Sequence, residues 1–486
     1  MQPLSMMSGY LLLLVFSLIS IALGIYYNKG NSAESYDEFL SARSGIPLPV
    51  AISGLIAVWV WSSTLMGSGE GAYNFGMSGI WVYGVVVPFS ALVLGSWILP
   101  RVRQMMPNAA TFPAYIAKRL GRNAHRVFTF VTIVQMFFWT VVQIMAVGTI
   151  LNTMFGIPVW IAAVLSGIVV TLYITLGGLR AAAGTAFCQV LVITILLAIL
   201  LPCAIYYAGG VHQIYDGVLS VKGHEGTLIF SKNIFFNWFL VSLFSYINYS
   251  IMDQNVWGYC YSIKPGTERK FILCSAFLWL PIPCAAGLLG VIGLSSGIQV
   301  SPSVILPAMI LNLMPKIFSY GFAIIMLASI YSTAGSCLNA FTSLFINDIY
   351  IPYIKNGKPD EEKLLPLARR ITVIGGLAAS AVAIFPVSLL FMNYAVAAIA
   401  VPITWPFVLS VCWKKLNTKA TILGMIIAIP IALVLAFLPA IGIVLVSIPL
   451  WAGYLITHLV ALLIPILGTL LWPNNEFDYS FMQKEE

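Results

Sequence analysis

The chain has 486 residues, of which 60% are hydrophobic and only 8% charged, a balance that excludes the soluble globular classes. Its net charge of +8 would point to nucleic acid only if the basic residues clustered on one solvated face; they are instead spread over short segments between apolar runs. Runs of roughly the 20 residues that a membrane-crossing helix needs recur along the chain, so the sequence predicts one all-α integral membrane domain over residues 1–486.

The first run begins near Met7 with no Lys or Arg before it and no small-residue cleavage site behind it, so it reads as a span and not a signal peptide. About thirteen transmembrane helices are predicted, over about 7–28, 48–73, 78–99, 127–153, 157–177, 184–208, 230–259, 271–297, 317–346, 366–385, 387–413, 418–437 and 440–470. With the N-terminus outside, the cytoplasmic segments hold every Lys and Arg except Lys222, Lys232 and Lys316, as the positive-inside rule expects. The loop carrying Arg101, Arg103, Lys118, Arg119, Arg122 and Arg126 and the stretch from Lys355 to Arg370 supply most of that bias. This orientation places the C-terminus, with Glu485 and Glu486, on the cytoplasmic side of a multi-pass cell-membrane protein. The connections 209–229, external, and 347–365, internal, are long and polar and fit lids or short surface helices.

The second span holds Gly54, then Trp59 and Trp61, then Ser62-Ser63-Thr64 and Gly67-Ser68-Gly69. Glycines and hydroxyls beside aromatics suit a broken helix whose freed carbonyls line a cavity, whereas Trp as an interfacial anchor would sit at the end of the span and not halfway along. The string Gly67-Ser68-Gly69-Glu70-Gly71 follows no strand and lacks the Lys of a phosphate loop. Seven cysteines fall almost wholly within apolar runs, among them Cys188, Cys274 and Cys337, and read as packing residues. His125, His212, His224 and His458 have neither metal-ligand nor triad spacing, so the chain does not read as an enzyme.

In the ninth span Ser329, Ser332 and Thr333 stand at i, i+3 and i+4 and share one helix face, an oxygen-rich face suited to a small hard cation. The structural alternative is that each hydroxyl bonds back to its own helix. Of 16 acidic residues, only Glu70, Asp253 and Asp348 come near a span, each toward its end, so the midplane is expected to be free of fixed charge. Such an interior suits a neutral solute and a monovalent ion held by neutral oxygens better than it suits a proton pump or a polycation carrier.

Leu176-Gly177-Gly178-Leu179-Arg180, the cluster from Ser329 to Thr333 running on to Asn347-Asp348-Ile349-Tyr350, and Trp413-Lys414-Lys415-Leu416-Asn417 followed by Gly424 resemble the sodium:solute symporter family in order and spacing. The resemblance implies a LeuT-like 5+5 inverted-repeat core over about 48–413, with broken first and sixth core helices (the second and seventh spans), peripheral spans at 7–28 and about 418–470, and transport by alternating access. It also implies a sodium site built from the carbonyls of Ala57, Val60 and Ser329 and the side chains of Ser332 and Thr333. Tyr249 matches the family's inner-gate tyrosine and Thr64 a substrate-binding side chain; Trp59, Trp61 and Tyr246 complete the expected substrate surface.

Where many members carry an Asp after the Gly-Gly-Leu turn, this chain reads Thr185-Ala186-Phe187-Cys188-Gln189, which leaves both the ion's release route and its identity, Na+ or H+, open. Trp59 to Thr64, Pro107-Asn108-Ala109 and Asp253-Gln254 with Trp257 most resemble the urea active transporter branch. The expectation is therefore a sodium-coupled importer of urea or a similar small amide. The alternative solutes are an amino acid or a carboxylate, and the alternatives of another class are a channel or a membrane sensor. The expected partners are the solute, the coupling ion and the lipid bilayer, with no nucleic acid and an oligomeric state left open.

Overall fold

The computed structural model describes residues 3–28, 36, 45–107, 109–385, 389–480 and 482, and every regular element among them is helical. Asn108, Glu485, Glu486 and the side chain of Arg180, singled out above, lie outside the described residues. In chain order the elements are α1 (Met6–Asn28), α2 (Leu48–Trp59), α3 (Ser62–Phe75), α4 (79–105), α5 (Phe112–Phe155), α6 (Val159–Leu179), α7 (Ala182–Tyr207) and α8 (Val211–Thr227). There follow α9 (232–246), α10 (Gln254–Ser262), α11 (Glu268–Ser295), α12 (Pro302–Leu313), α13 (Lys316–Ile354), α14 (Glu361–Val382), α15 (Leu389–Cys412), α16 (Thr418–Ala440) and α17 (Leu450–Leu471).

Twelve helical runs among the described residues are long and apolar enough to cross a membrane. One of them, Ser62–Met105, is interrupted by the turn Gly76–Ser78, while Leu48–Trp59 is too short to cross alone. Taking α2 and α3 as the two halves of one crossing and α4 as the next recovers the thirteen predicted spans. Between α6 and α7 the chain reverses at Gly178, whose φ of 55° and ψ of −150° lie in a region open to a residue without a Cβ; the Gly-Gly-Leu motif is that corner.

A broken pair followed by four crossings occurs twice, as α2/α3 with α4 to α7 and as α9/α10 with α11 and α13 to α15. Helix α13 packs against α5 and the α6–α7 pair, and α11 packs against α3 and α4. Helices α16 and α17 pack on each other and on α15. Leu11, Leu14 and Leu18 of α1, Ile195 and Ile199 of α7, and Leu423, Ile426 and Leu467 of α16 and α17 are exposed, as expected where the surrounding solvent is hydrocarbon. The buried faces instead carry Ser, Thr, Asn and Gln, which place helix-to-helix hydrogen bonds at the centre.

Three connections differ from expectation. Residues 298–316, read as a bare loop, contain α12, whose Leu306 packs against the backbone of α3 at Gly69. The 347–365 stretch is helical to Ile354, because α13 continues through wide turns from Ile346. The last span begins at Leu450 and not near 440, as Pro449 stands immediately ahead of its first turn, where a proline's fixed φ suits a helix start.

Candidate ion and solute site

The first break follows from local backbone geometry. Helix α2 ends at Trp59; Val60 (φ −82°, ψ 70°) and Trp61 (φ −79°, ψ 172°) leave the helical region, and α3 restarts at Ser62. Carbonyls at the end of such a half-helix lose their partners four residues on, and here each finds another. The Trp59 carbonyl accepts from Thr64 Oγ1 at 2.7 Å and from Trp279 Nε1 at 2.8 Å. The remaining carbonyls turn to α13. Ser332 Oγ lies 3.0 Å from Ala57 O and 2.8 Å from Ser329 O, and its one hydrogen can serve either carbonyl. Thr333 Oγ1 lies 3.0 Å from Val58 O, 3.1 Å from Ser329 O and 3.4 Å from Ala57 O. The Ser329 hydroxyl donates to Val60 O.

The five oxygens expected to hold sodium, from Ala57, Val60, Ser329, Ser332 and Thr333, therefore form one hydrogen-bonded cluster in which no residue is more than 3% exposed. The ninth-span hydroxyls lie within bonding distance of their own helix, as the structural alternative expects, and they also reach across to carbonyls of α2. A hydroxyl that donates to a carbonyl keeps lone pairs. A cation that takes the carbonyls would need only the hydroxyl hydrogens to rotate away. The donor set is neutral oxygen throughout, which fits a small hard monovalent cation.

The second break lies between α9 and α10. One isolated turn, Tyr249–Met252, separates α9 from Asp253, which is extended (φ −99°, ψ 117°) and caps α10. The freed backbone is satisfied locally: Ser90 Oγ donates to Ile247 O at 2.7 Å, and Ser250 N–H donates to Ser90 Oγ at 3.1 Å. Asp253 Oδ1 accepts from the backbone N–H and from Nδ2 of Asn255, both at 2.9 Å.

Asp253 differs from the expectation that the acidic residues keep to the span ends. It stands at the break itself, 1% exposed, and its Oδ2, which makes no close hydrogen bond, faces the side-chain donors of Trp59 and Tyr249. Asp348, also 1% exposed, is paired with His125, Nε2 to Oδ1 at 2.8 Å. Glu70 is 6% exposed. The histidines are thus not all isolated, although no group of three metal-ligating side chains occurs among the described residues.

The two breaks meet in an aromatic cage. The Trp61 ring lies 4.5 Å from Trp139, 4.6 Å from Tyr249 and 5.7 Å from Tyr246, and Trp59 lies 5.8 Å from Tyr249. Of the residues expected to bind solute, Trp59, Trp61, Tyr246 and Tyr249 are brought together here, whereas the Thr64 hydroxyl is engaged in closing the end of α2. Trp139, Gln143 and Asp253 were not expected. The first two stand four residues apart on α5, one polar side chain and one indole in an apolar run, and that spacing was the available signal.

The cage is notable for unused hydrogen-bonding groups. Nε1 of Trp59, Trp61 and Trp139 and Nε2 of Gln143 are buried donors without partners, while Gln143 Oε1 holds the orphan N–H of Ser62 at 2.9 Å. Buried polar groups are ordinarily bonded. Donors left without a close partner at a helix break are groups that a hydrogen-bond-accepting ligand could use.

A match to the sodium:solute symporter family covers residues 39–428. The chain is 22% identical to the urea-proton symporter of Oryza sativa subsp. japonica over 432 residues, 81% of this chain and 59% of that one. It is 24% identical to the human sodium-coupled monocarboxylate transporter 1 over 389 residues, 74% of this chain and 61% of that one; the chain thus spans about three fifths of the length of these relatives. Among solved structures, that of a Na+-coupled sialic acid symporter in a substrate-bound, outward-open state superposes with a TM-score of 0.80 at 18% identity, covering 96% of this chain and 99% of that one, a likeness that shows the fold. With its paired broken helices and a family match over most of its length, the chain belongs to the sodium:solute symporter family, a family of secondary transporters and not of enzymes.

Proposed function

We propose that this protein is a sodium-coupled symporter that carries urea or a similarly small amide into the cell by alternating access, with its N-terminus outside and its C-terminus in the cytoplasm of a cell-membrane protein. The observation that carries the reading is the contact between two neighbouring features: a cluster of neutral oxygens on α2 and α13, and a cage whose groups without a close partner are N–H donors, the Tyr246 hydroxyl and one carboxylate oxygen. Sodium would be held by the carbonyls of Ala57, Val60 and Ser329 and the hydroxyls of Ser332 and Thr333. The solute would lie against Trp59, Trp61, Tyr246 and Tyr249, its carbonyl facing the indole donors and its N–H groups facing Asp253. The Thr64 hydroxyl would hold the Trp59 backbone and act on the solute through it.

Asp253 argues against a carboxylate solute, because like charges brought together in a low-dielectric site repel strongly and no Lys or Arg belongs to the cage. Sodium entering down a 100 mV potential supplies about 2.3 kcal/mol, enough for roughly 50-fold accumulation. Because the rice relative is named as a proton symporter, proton coupling is the second reading. Uptake of labelled urea into proteoliposomes under an imposed sodium gradient, compared with a proton gradient, decides between them. The expected result is sodium-driven accumulation; absence of urea uptake under both gradients refutes the solute assignment.

A further inference from the structure

A cavity of about 260 Å3 lies at the outer ends of α3, α9 and α15, beside the start of α17, with Glu70, Asn74, Asn237, Trp238, Tyr394 and Trp451 on its walls. Its floor is one aromatic layer. Trp238 Nε1 donates to the Tyr394 hydroxyl at 2.8 Å, the Ser242 and Tyr394 hydroxyls are 3.0 Å apart, and the Tyr394 ring lies 5.9 Å from Tyr246 of the cage. Trp238 is seated on Gly71, where an added Cβ would come within 1.6 Å of the indole, so the absence of a side chain there is what lets α3 and α9 close over the cage.

Glu70 is buried at 6% exposure, yet no hydrogen bond or ion pair joins its carboxylate to any other described residue. Its carboxylate is not sealed in the protein but opens onto the cavity, where a ligand that donates N–H groups can bond it. A planar amide fits these walls on three counts. The carboxylate can accept two N–H groups from one edge, as it does from a guanidinium. Asn237, whose Nδ2 donates to Asn233 Oδ1, keeps its own Oδ1 to accept a further N–H. Trp238 and Trp451 supply flat apolar walls, and the volume far exceeds that of a bare cation.

We propose that this cavity is an outer binding site for the transported amide, where Glu70 receives the solute before the Trp238–Tyr394 layer opens to admit it to the cage. The proposal rests on the urea-type reading and on the orientation given above. No lysine or arginine lines the cavity, so an anionic solute has nothing to hold it there.

The test uses the full-length protein in proteoliposomes, with Asn74→Cys as a reporter for a membrane-impermeant thiol reagent and the parent protein as the control for native cysteines. Urea at about ten times its Kd should slow labelling of the Asn74→Cys protein about tenfold, since protection follows the occupied fraction, and acetate should not. In the double variant Glu70→Gln with Asn74→Cys that protection should disappear, and Glu70→Asp should retain part of it. Protection that survives Glu70→Gln would come from closure over the cage and would overturn the outer site, as would protection by sodium alone with none from urea. Urea uptake by the parent without protection refutes this site only, whereas no urea uptake by the parent refutes the solute reading and the site with it.

Discussion

Replacing Thr333 by Ala removes one of the two hydroxyls from the oxygen cluster, and the structure indicates how much that should matter. In the ion-free arrangement the Thr333 hydroxyl lies 3.0 Å from Val58 O, with Ser329 O at 3.1 Å as an alternative acceptor, so its loss forfeits about 1 kcal/mol of neutral hydrogen bonding. In the ion-bound arrangement the same oxygen faces a cation, an interaction on the scale of a hydrogen bond to a charge, about 1.5–3 kcal/mol. Binding loses the difference, about 0.5–2 kcal/mol, or roughly a 2- to 30-fold rise in the half-saturating sodium concentration. Thr333→Ser keeps the hydroxyl and should stay within about twofold of the parent on the same scale. Ser329→Ala should shift sodium dependence less than Thr333→Ala, because Ser329 is expected to serve through its carbonyl. The assay is labelled-urea uptake against external sodium at fixed urea. Parent-like sodium dependence in Thr333→Ala, or equal damage from Thr333→Ser, would show that the residue packs and does not ligate.

Asp253→Asn should weaken urea uptake about tenfold in apparent affinity and let acetate or lactate compete where they do not compete with the parent; competition uptake assays measure both. Trp61→Phe keeps a ring and deletes an unspent donor, so it should raise the KM for urea several-fold while leaving the half-saturating sodium concentration unchanged. Asp348→Ala strands His125, whose Nδ1 bonds the Tyr353 hydroxyl at 2.8 Å and whose Nε2 holds the aspartate. It should cost about 1–3 kcal/mol of stability, visible as a lower Tm in detergent. Its sodium dependence should be unaltered, since Asp348 lies 15 residues, or about 22 Å, along α13 from Thr333.

The parts of the site that could be read from the sequence share one property: they depend on short-range spacing. Ser329, Ser332 and Thr333 fall on one face by helical geometry alone, and the glycines and hydroxyls after Trp61 mark a helix that does not continue. The corner at Gly178 was visible for the same reason. What could not be read depends on meetings across the chain. Asp253 lies inside the span predicted at 230–259, which the family resemblance expected to be broken, but nothing in its neighbourhood reveals that α9 stops at Tyr246 and α10 restarts at Gln254, which sets the carboxylate at the interruption. Trp139 joins the cage only because α5 runs past the break after Trp59, some 80 residues earlier in the chain. The hydrogen bond from the Thr64 hydroxyl to the Trp59 carbonyl five residues back depends on where the helix breaks and was likewise not legible. Helix α12 escaped notice since its apolar stretch is too short to register as a span.

The same five residues, Ala57 to Trp61, serve both halves of the site, and this is where coupling would arise. The Trp59 carbonyl is held by Thr64 and Trp279 and is not offered to the ion, so the ion's carbonyls flank it at Ala57 and Val60 while the Trp59 and Trp61 side chains face the cage. The backbone torsions at Val60 and Trp61 that aim the carbonyls at α13 also set the direction of both indoles. An ion bound between α2 and α13 fixes those torsions and so prepares the donors that the solute meets; a solute seated against the indoles fixes the same torsions and prepares the carbonyls. Equilibrium linkage requires the two effects to be equal, typically 1–3 kcal/mol each way. Sodium should therefore raise urea affinity by the same factor by which urea raises sodium affinity, and the His125–Asp348 pair, on the far part of α13, lies outside that shared segment.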